Sequence, residues 1–109
     1  MKLIIAIVHD EDAARLMEEL TNNNFRMTKL ATTGGFLRAG NTTLLVGTED
    51  EDVDKVISII KDNCEARKEI VSSPAPVSGT AGIFIPYSIE VMVGGATVFV
   101  VDVEKYVKL

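Results

Sequence analysis

The sequence predicts an α+β fold in the order strand, helix, strand, strand, helix, strand, and three observations carry it. Residues 2–8 (KLIIAIV) are continuously apolar and rich in isoleucine, the composition of a central strand. Segments 10–20 and 53–64 carry apolar residues at helical spacing, which gives each helix one buried stripe. Glycine-rich breaks at 34–40 and 94–95 separate further short apolar runs, as turns do between strands. That order is a split βαβ pair, the ferredoxin-like pattern βαββαβ.

In chain order, Asp10 is placed as the cap of the first helix, with Glu11 and Asp12 in its first turn, where the macrodipole favours negative charge. Ala13, Leu16, Met17 and Leu20 form its buried stripe. Asn22-Asn23-Asn24 ends it, because asparagine favours turns over helix interiors. Residues 25–31 make the second strand, with Arg26 and Thr28 on one face and Phe25 and Met27 on the other. Residues 42–47 (TTLLVG) make the third. Thr48 and Glu51 have capping-box spacing and open a second helix with the stripe Val53, Val56, Ile57, Ile60 and Cys64. On that stripe Cys64 is a small core residue, not a reactive thiol.

From Ile70 to Ile89 no residue is charged, and Pro74, Pro76, Gly79, Gly82 and Pro86 interrupt the run. A loop so long is usually functional, and residues 70–88 are expected to form a mobile lid that lays aliphatic and aromatic groups over a ligand. Residues 89–93 and 96–101 are expected to pair as an added C-terminal hairpin about Gly94-Gly95. The tail 103–109 is given one helical turn at Lys105-Tyr106.

Length and charge bound the function. At 109 residues the chain is read as one domain, residues 1–109. A net charge of −5 argues against nucleic acid, whose phosphates are met by Lys and Arg clusters. One cysteine excludes an internal disulfide, and with one histidine it leaves too few ligands for a Cys/His metal site. Neither metal nor cofactor is expected. The apolar run 3–8 is too short for a signal peptide, and no segment is long enough to span a bilayer. A cytoplasmic location without membrane insertion is therefore expected.

The stretch 32–41 (TTGGFLRAGN) is the candidate site. Its glycines let successive N–H groups turn toward one point and cup an anion. Phe36 offers a flat apolar surface, and Arg38 and Asn41 offer polar groups. From Leu20 through Thr48 the chain carries Arg26, Lys29 and Arg38 and no Asp or Glu, although it holds 16 acids in all. A negative protein that binds an anion needs such a cleared region. The residues alone say anionic nucleotide. The sheet strands add a second expectation, because residues 3–8, 44–46 and 98–101 are apolar on both sides. An open apolar face exceeds what monomers tolerate, so subunits are expected to pack around a symmetry axis.

Residues 23–43, NNFRMTKLATTGGFLRAGNTT, resemble the signature of the cyclic-di-AMP receptor proteins, PII-like signal-transduction proteins of Gram-positive bacteria. Residues 94–100 (GGATVFV) and 85–87 (IPY) resemble a second signature. The resemblance implies a homotrimer of ferredoxin-like (PII-like) subunits with one cyclic di-AMP in each of three inter-subunit clefts. It implies two loops at the cleft, 33–40 and 72–87, and ligand contacts at Arg26, Thr28, Gly35, Phe36, Leu37, Asn41, Gly47 and the Gly94 turn. Residues 73–82 and 103–109 depart from the family pattern. Within that frame the N–H groups of Gly35, Phe36 and Leu37 and the Thr28 hydroxyl suit phosphate oxygens, with charge from Arg26 or Arg38. Phe36 and Leu37 suit an adenine face, and Asn41 has the donor and acceptor that read an adenine edge.

The expected action is non-catalytic signalling, with ligand binding that reorders loops to control a downstream protein. A PII-like sensor of ATP, ADP or another anionic metabolite is one rival. A small phosphate hydrolase of acylphosphatase type is weaker, because no Asp, Glu, His or Cys stands near the cup to act as base or nucleophile. His9 is read as a solvated strand-end residue. A bare trimeric scaffold resembling copper-tolerance proteins is a further alternative, made less attractive by the carboxylate-free cup.

Overall fold

Two helices cover one face of a four-stranded antiparallel sheet in the computed structural model, which describes residues 1–30, 40–76 and 84–109. The elements are β1 (Lys2–His9), α1 (Asp10–Asn22), β2 (Met27–Leu30), β3 (Asn41–Thr48), α2 (Val53–Cys64), β4 (Arg67–Pro76), β5 (Phe84–Val93) and β6 (Ala96–Asp102). The sheet order is β2-β3-β1-β6, while β4 and β5 pair only with each other. A mixed α+β chain with this antiparallel sheet and two helices fits the ferredoxin-like, PII-like fold, with β6 as the fourth strand.

Alternation along β1 builds the core. Ile4, Ala6 and Val8 point at the helices and are fully buried. In register beside them stand Val46, Leu44 and Thr42 of β3, and Val100, Val98 and Ala96 of β6. The α1 stripe falls as expected, with Ala13, Leu16 and Leu20 buried and Met17 packed on them. On α2 the buried arc is turned. Val56, Ile60 and Cys64 are buried, but Ile59 takes the place expected of Ile57, which is 36% exposed. The reason is that α2 packs sideways on α1 as well as on the sheet, so its buried arc spreads toward Ile59 and Asn63.

Helix ends differ from the sequence reading. Asp10 is the first helical residue, not a cap, and its carboxylate accepts a hydrogen bond from the Thr42 hydroxyl on β3. Thr48 does not cap α2, because β3 runs on to pair Thr48 with Lys2. A 3₁₀ turn at Asp50–Asp52 then leads into the helix. The end of α1 is as expected: Asn24 takes a left-handed φ of 65°, a conformation asparagine tolerates.

Two larger corrections concern the C-terminal half. Residues 84–93 and 96–102 do not form a hairpin. β5 pairs along its length with β4, from Arg67↔Val93 to Pro76↔Phe84, and β6 instead completes β1. Gly94 and Gly95, with φ of 75° and 103°, carry the chain from one sheet to the other. The expected loop 70–88 is strand at 70–76 and 84–88, and its remainder, 77–83, lies outside the described residues. Prolines are tolerated there because a two-stranded ribbon has two open edges, where a missing N–H loses no ladder bond. The tail after Asp102 forms no helical turn.

Candidate functional site

Both depressions that involve the expected contacts open on the sheet face away from the helices. Leu3, Ile5 and Ile7 of β1 and Leu45 of β3 make its half-buried centre. Leu30, Phe99 and Val101 are more open, at 41%, 52% and 42%. One depression, of about 460 Å³, lies at the Gly47 end of β3 and is lined by Arg26, Thr28, Leu45, Gly47 and Tyr106 among others. The other, of about 380 Å³, lies at the Asn41 end and is lined by His9, Asn41, Thr97 and the Gly94-Gly95 backbone. Among the described residues no Asp or Glu lines either one.

The chain thus divides the expected site residues. Arg26, Thr28 and Gly47 come together. Asn41 and Gly94 come together elsewhere. Asn41 and Gly47 stand six rises apart on extended strand, about 20 Å. Gly35, Phe36, Leu37 and Arg38 lie outside the described residues.

The register explains each grouping. Thr28 stands opposite Leu45 on the open face, which fixes Arg26 on the same side two residues away. Arg26 is exposed, and among the described residues no carboxylate pairs with it. Gly47 pairs with Leu3, and a Cβ there would meet nothing within 4 Å. At the opposite end Asn41 pairs with His9. His9 is half-buried and lines the depression, not a freely solvated strand end. Tyr106 was not foreseen either, because nothing in an irregular tail signals which strand end it will lie beside.

Behind the Gly94 wall sits a buried carboxylate. Asp12 is 1% exposed and is met by Arg67 Nη2 at 3.0 Å and Arg15 Nη2 at 3.1 Å. Arg15 also donates through Nε to Asn63 Oδ1 at 3.2 Å. The Asp12 carboxylate raises the Arg67 pKa above its ordinary value, chiefly through the hydrogen bond between them. Two guanidinium groups therefore pair with the carboxylate behind the Gly94 wall. Nearby Cys64 is fully buried, and burial pushes its thiol up to about 11. The expected core role is what the structure gives it.

Among the described residues no cluster of three or more His, Cys, Asp or Glu could hold a metal ion. No helix among them is long and apolar enough to cross a membrane.

Comparison with known proteins bears on these depressions. The family described as cyclic-di-AMP receptor matches residues 1–109. A crystal structure of a functionally unknown protein from Pediococcus pentosaceus ATCC 25745 is similar, with 44% sequence identity and a TM-score of 0.78. The match covers 99% of this chain and 96% of that one.

Proposed function

The chain belongs to the cyclic-di-AMP receptor family, and we propose that it is a non-catalytic receptor that binds cyclic di-AMP between the subunits of a homotrimer. The observation that carries the proposal is the division of the site. Two carboxylate-free depressions lie at opposite ends of one apolar sheet face in a chain with 16 acids. A compact cyclic dinucleotide that touches Arg26, Thr28 and Gly47 does not also reach Asn41 and Gly94 about 20 Å along the same strand. If the open faces of neighbouring subunits pack together, one subunit's Arg26 end meets the next subunit's Asn41 end, and a single cleft gathers all five.

In that cleft Arg26 and the Thr28 hydroxyl supply donors to a phosphate. Gly47 leaves room for the ligand, and Asn41 reads an adenine edge. Gly35, Phe36 and Leu37 join from the connection between β2 and β3. No metal or cofactor takes part, the single domain spans residues 1–109, and the protein works in the cytoplasm. Its output is a changed surface for a downstream protein, as ligand preference for one loop state requires.

Subunit mixing tests the arrangement. Arg26→Ala and Asn41→Ala chains should each bind cyclic di-AMP about tenfold or more weakly, the loss of a charge-assisted or bidentate contact. Unfolded and refolded together, they should regain tight sites in calorimetry, because some clefts then pair an intact Arg26 with an intact Asn41. Sites confined to one subunit would show no recovery. The same titration with ATP tests the rival ligand, and tighter binding of ATP would replace cyclic di-AMP in the proposal.

A further inference from the structure

We propose that the Asp12–Arg67 ion pair is a positioning latch that sets both the direction of the β4–β5 ribbon and the Gly94 wall of the ligand depression. The ligand's identity rests on the function proposed above. The latch itself rests on geometry.

Among the described residues β4 and β5 approach each other closely, and neither comes comparably close to the helices or the four-stranded sheet. It joins them through two short links. One is Glu65-Ala66, after α2. The other is Gly94-Gly95, before β6, where both residues hold positive φ. A pair of links without packing is a hinge unless something pins it. The pins are few. The Gly95 N–H donates to the Cys64 carbonyl. Arg67, the first residue of β4, reaches Asp12 in the first turn of α1 through Nη2 to Oδ1 at 3.0 Å and Nη1 to Oδ2 at 3.4 Å. Its Nη1 also donates to the Glu65 carbonyl at 3.3 Å, and its Nε lies 3.6 Å from Glu69.

Asp12 is a strong anchor because it is almost wholly removed from water, where breaking an ion pair by removing one partner is costly. A two-pronged guanidinium contact also fixes angle, which a point charge does not. The same group props the depression. A Cβ on Gly94 would stand 2.6 Å from Arg67 Nη1 and 3.3 Å from Asp12 Oδ2. The Gly94 backbone therefore rests against the ion pair, and on its other side it lines the depression with Asn41 and His9. One contact thus touches the base of the ribbon and the wall of the site. Moving either moves the other, and such coupling is reciprocal.

Arg67→Ala is the informative variant, because Asp12 keeps Arg15 as a partner and the fold is retained. Nitroxide labels on Ile70→Cys in the ribbon and Glu18→Cys on α1, diluted with unlabelled chains, report ribbon direction. Native Cys64 is buried and stays unlabelled. In ligand-free protein the distance distribution should widen in Arg67→Ala and widen less in Arg67→Lys, which keeps the charge without the fork. Affinity for cyclic di-AMP should fall about tenfold in Arg67→Ala, within the usual range for coupled sites, with an intermediate loss in Arg67→Lys and little change in Tm. An unwidened distribution overturns the latch. So does a widened one with unaltered affinity. Failure of the parent protein to bind cyclic di-AMP would instead remove the proposed function, and the ligand-free distances would still decide whether Arg67 holds the ribbon.

Discussion

The two faces of the four-stranded sheet are built from the same kinds of residue and end in opposite conditions. On the helix side Ile4, Ala6, Val8, Leu44 and Val46 are at 0% exposure. On the other side Leu3, Ile5, Ile7 and Leu45 are half-buried at best, and Phe99 and Val101 are largely open. Hydrophobicity therefore does not separate the faces; cover does. The covered face is finished within one chain. The uncovered face carries both depressions and has apolar residues where a monomer would carry polar ones. The difference gives the chain's own core to one face and leaves the other as the face on which the proposed assembly and ligand binding depend.

The sharpest way to break that contrast is a charge at the centre of the open face. Ile5 is flanked in register by Leu45 and Phe99. Ile5→Glu should leave the helix side folded and abolish the trimer. An unpaired charge left in an interface costs about 3–5 kcal/mol for each copy buried. Sedimentation should show a monomer with the parent's far-ultraviolet circular dichroism. A trimer of unchanged mass would remove the open face from assembly. On the covered face, Leu44→Ala should cost about 2–5 kcal/mol in urea unfolding, the usual range for a buried leucine. It should leave the oligomeric mass unchanged.

How much of this was legible in the sequence follows the same division. The helix-side core could be read because each stripe is local: Ala13, Leu16 and Leu20 share a face by spacing alone. Elements whose partner lies far along the chain could not. β6 was assigned to its nearest neighbour across Gly94-Gly95, whereas it pairs with β1, some 90 residues away. The register that sets Val98 beside Ala6 is a tertiary fact, invisible to hairpin chemistry. β4 and the first half of β5 were hidden by prolines that argue against strands in a sheet interior but are tolerated in a two-stranded ribbon. Of the proposed site, the placement of Arg26, Thr28 and Gly47 at one end of β3 and of Asn41 and Gly94 at the other was not legible, because it depends on strand register. Tyr106 carried no signal, and Asp12 and Arg67 read as ordinary charges until their contact was seen.

Glycines sharpen the contrast at smaller scale. Gly94 has a positive φ and a guanidinium against it, so its lack of a side chain serves the chain's own packing. Gly47 has neither constraint. Gly47→Ala should therefore leave stability within about 0.5 kcal/mol of the parent, or raise it slightly. Affinity for cyclic di-AMP should nevertheless fall about tenfold, because the proposed function puts the ligand in that open space. A fall in Tm with unchanged affinity would mean that Gly47 serves the fold and that the Arg26 end has been misjudged.

The smallest effect belongs to the covered face and is silent at neutral pH. Burial, followed by the negative charge of Asp12, raises the Cys64 thiol from 9.0 to about 11, against the opposing pull of Arg15 and Arg67. A thiol with a raised folded pKa is protonated in both states below pH 9.0 and contributes no pH dependence there. Between 9.0 and about 11 the unfolded chain loses the proton while the folded chain holds it. The unfolded state then binds fewer protons, and stability falls as pH rises. Thermal unfolding from pH 8 to 10.5 should show this fall, with a slope below the one-proton limit of about 1.4 kcal/mol per pH unit. Lysine and tyrosine titration slopes the curve as well, so the informative quantity is the difference from Cys64→Ala. That variant should start lower at pH 8, for the small cavity it leaves, and lose ground more slowly above pH 9. Parallel curves would mean that the thiol ionises as readily in the folded protein as in the unfolded chain. The covered face would then be wetter at the end of α2 than its packing implies, and the floor beneath the Asp12–Arg67 pair would be open to water.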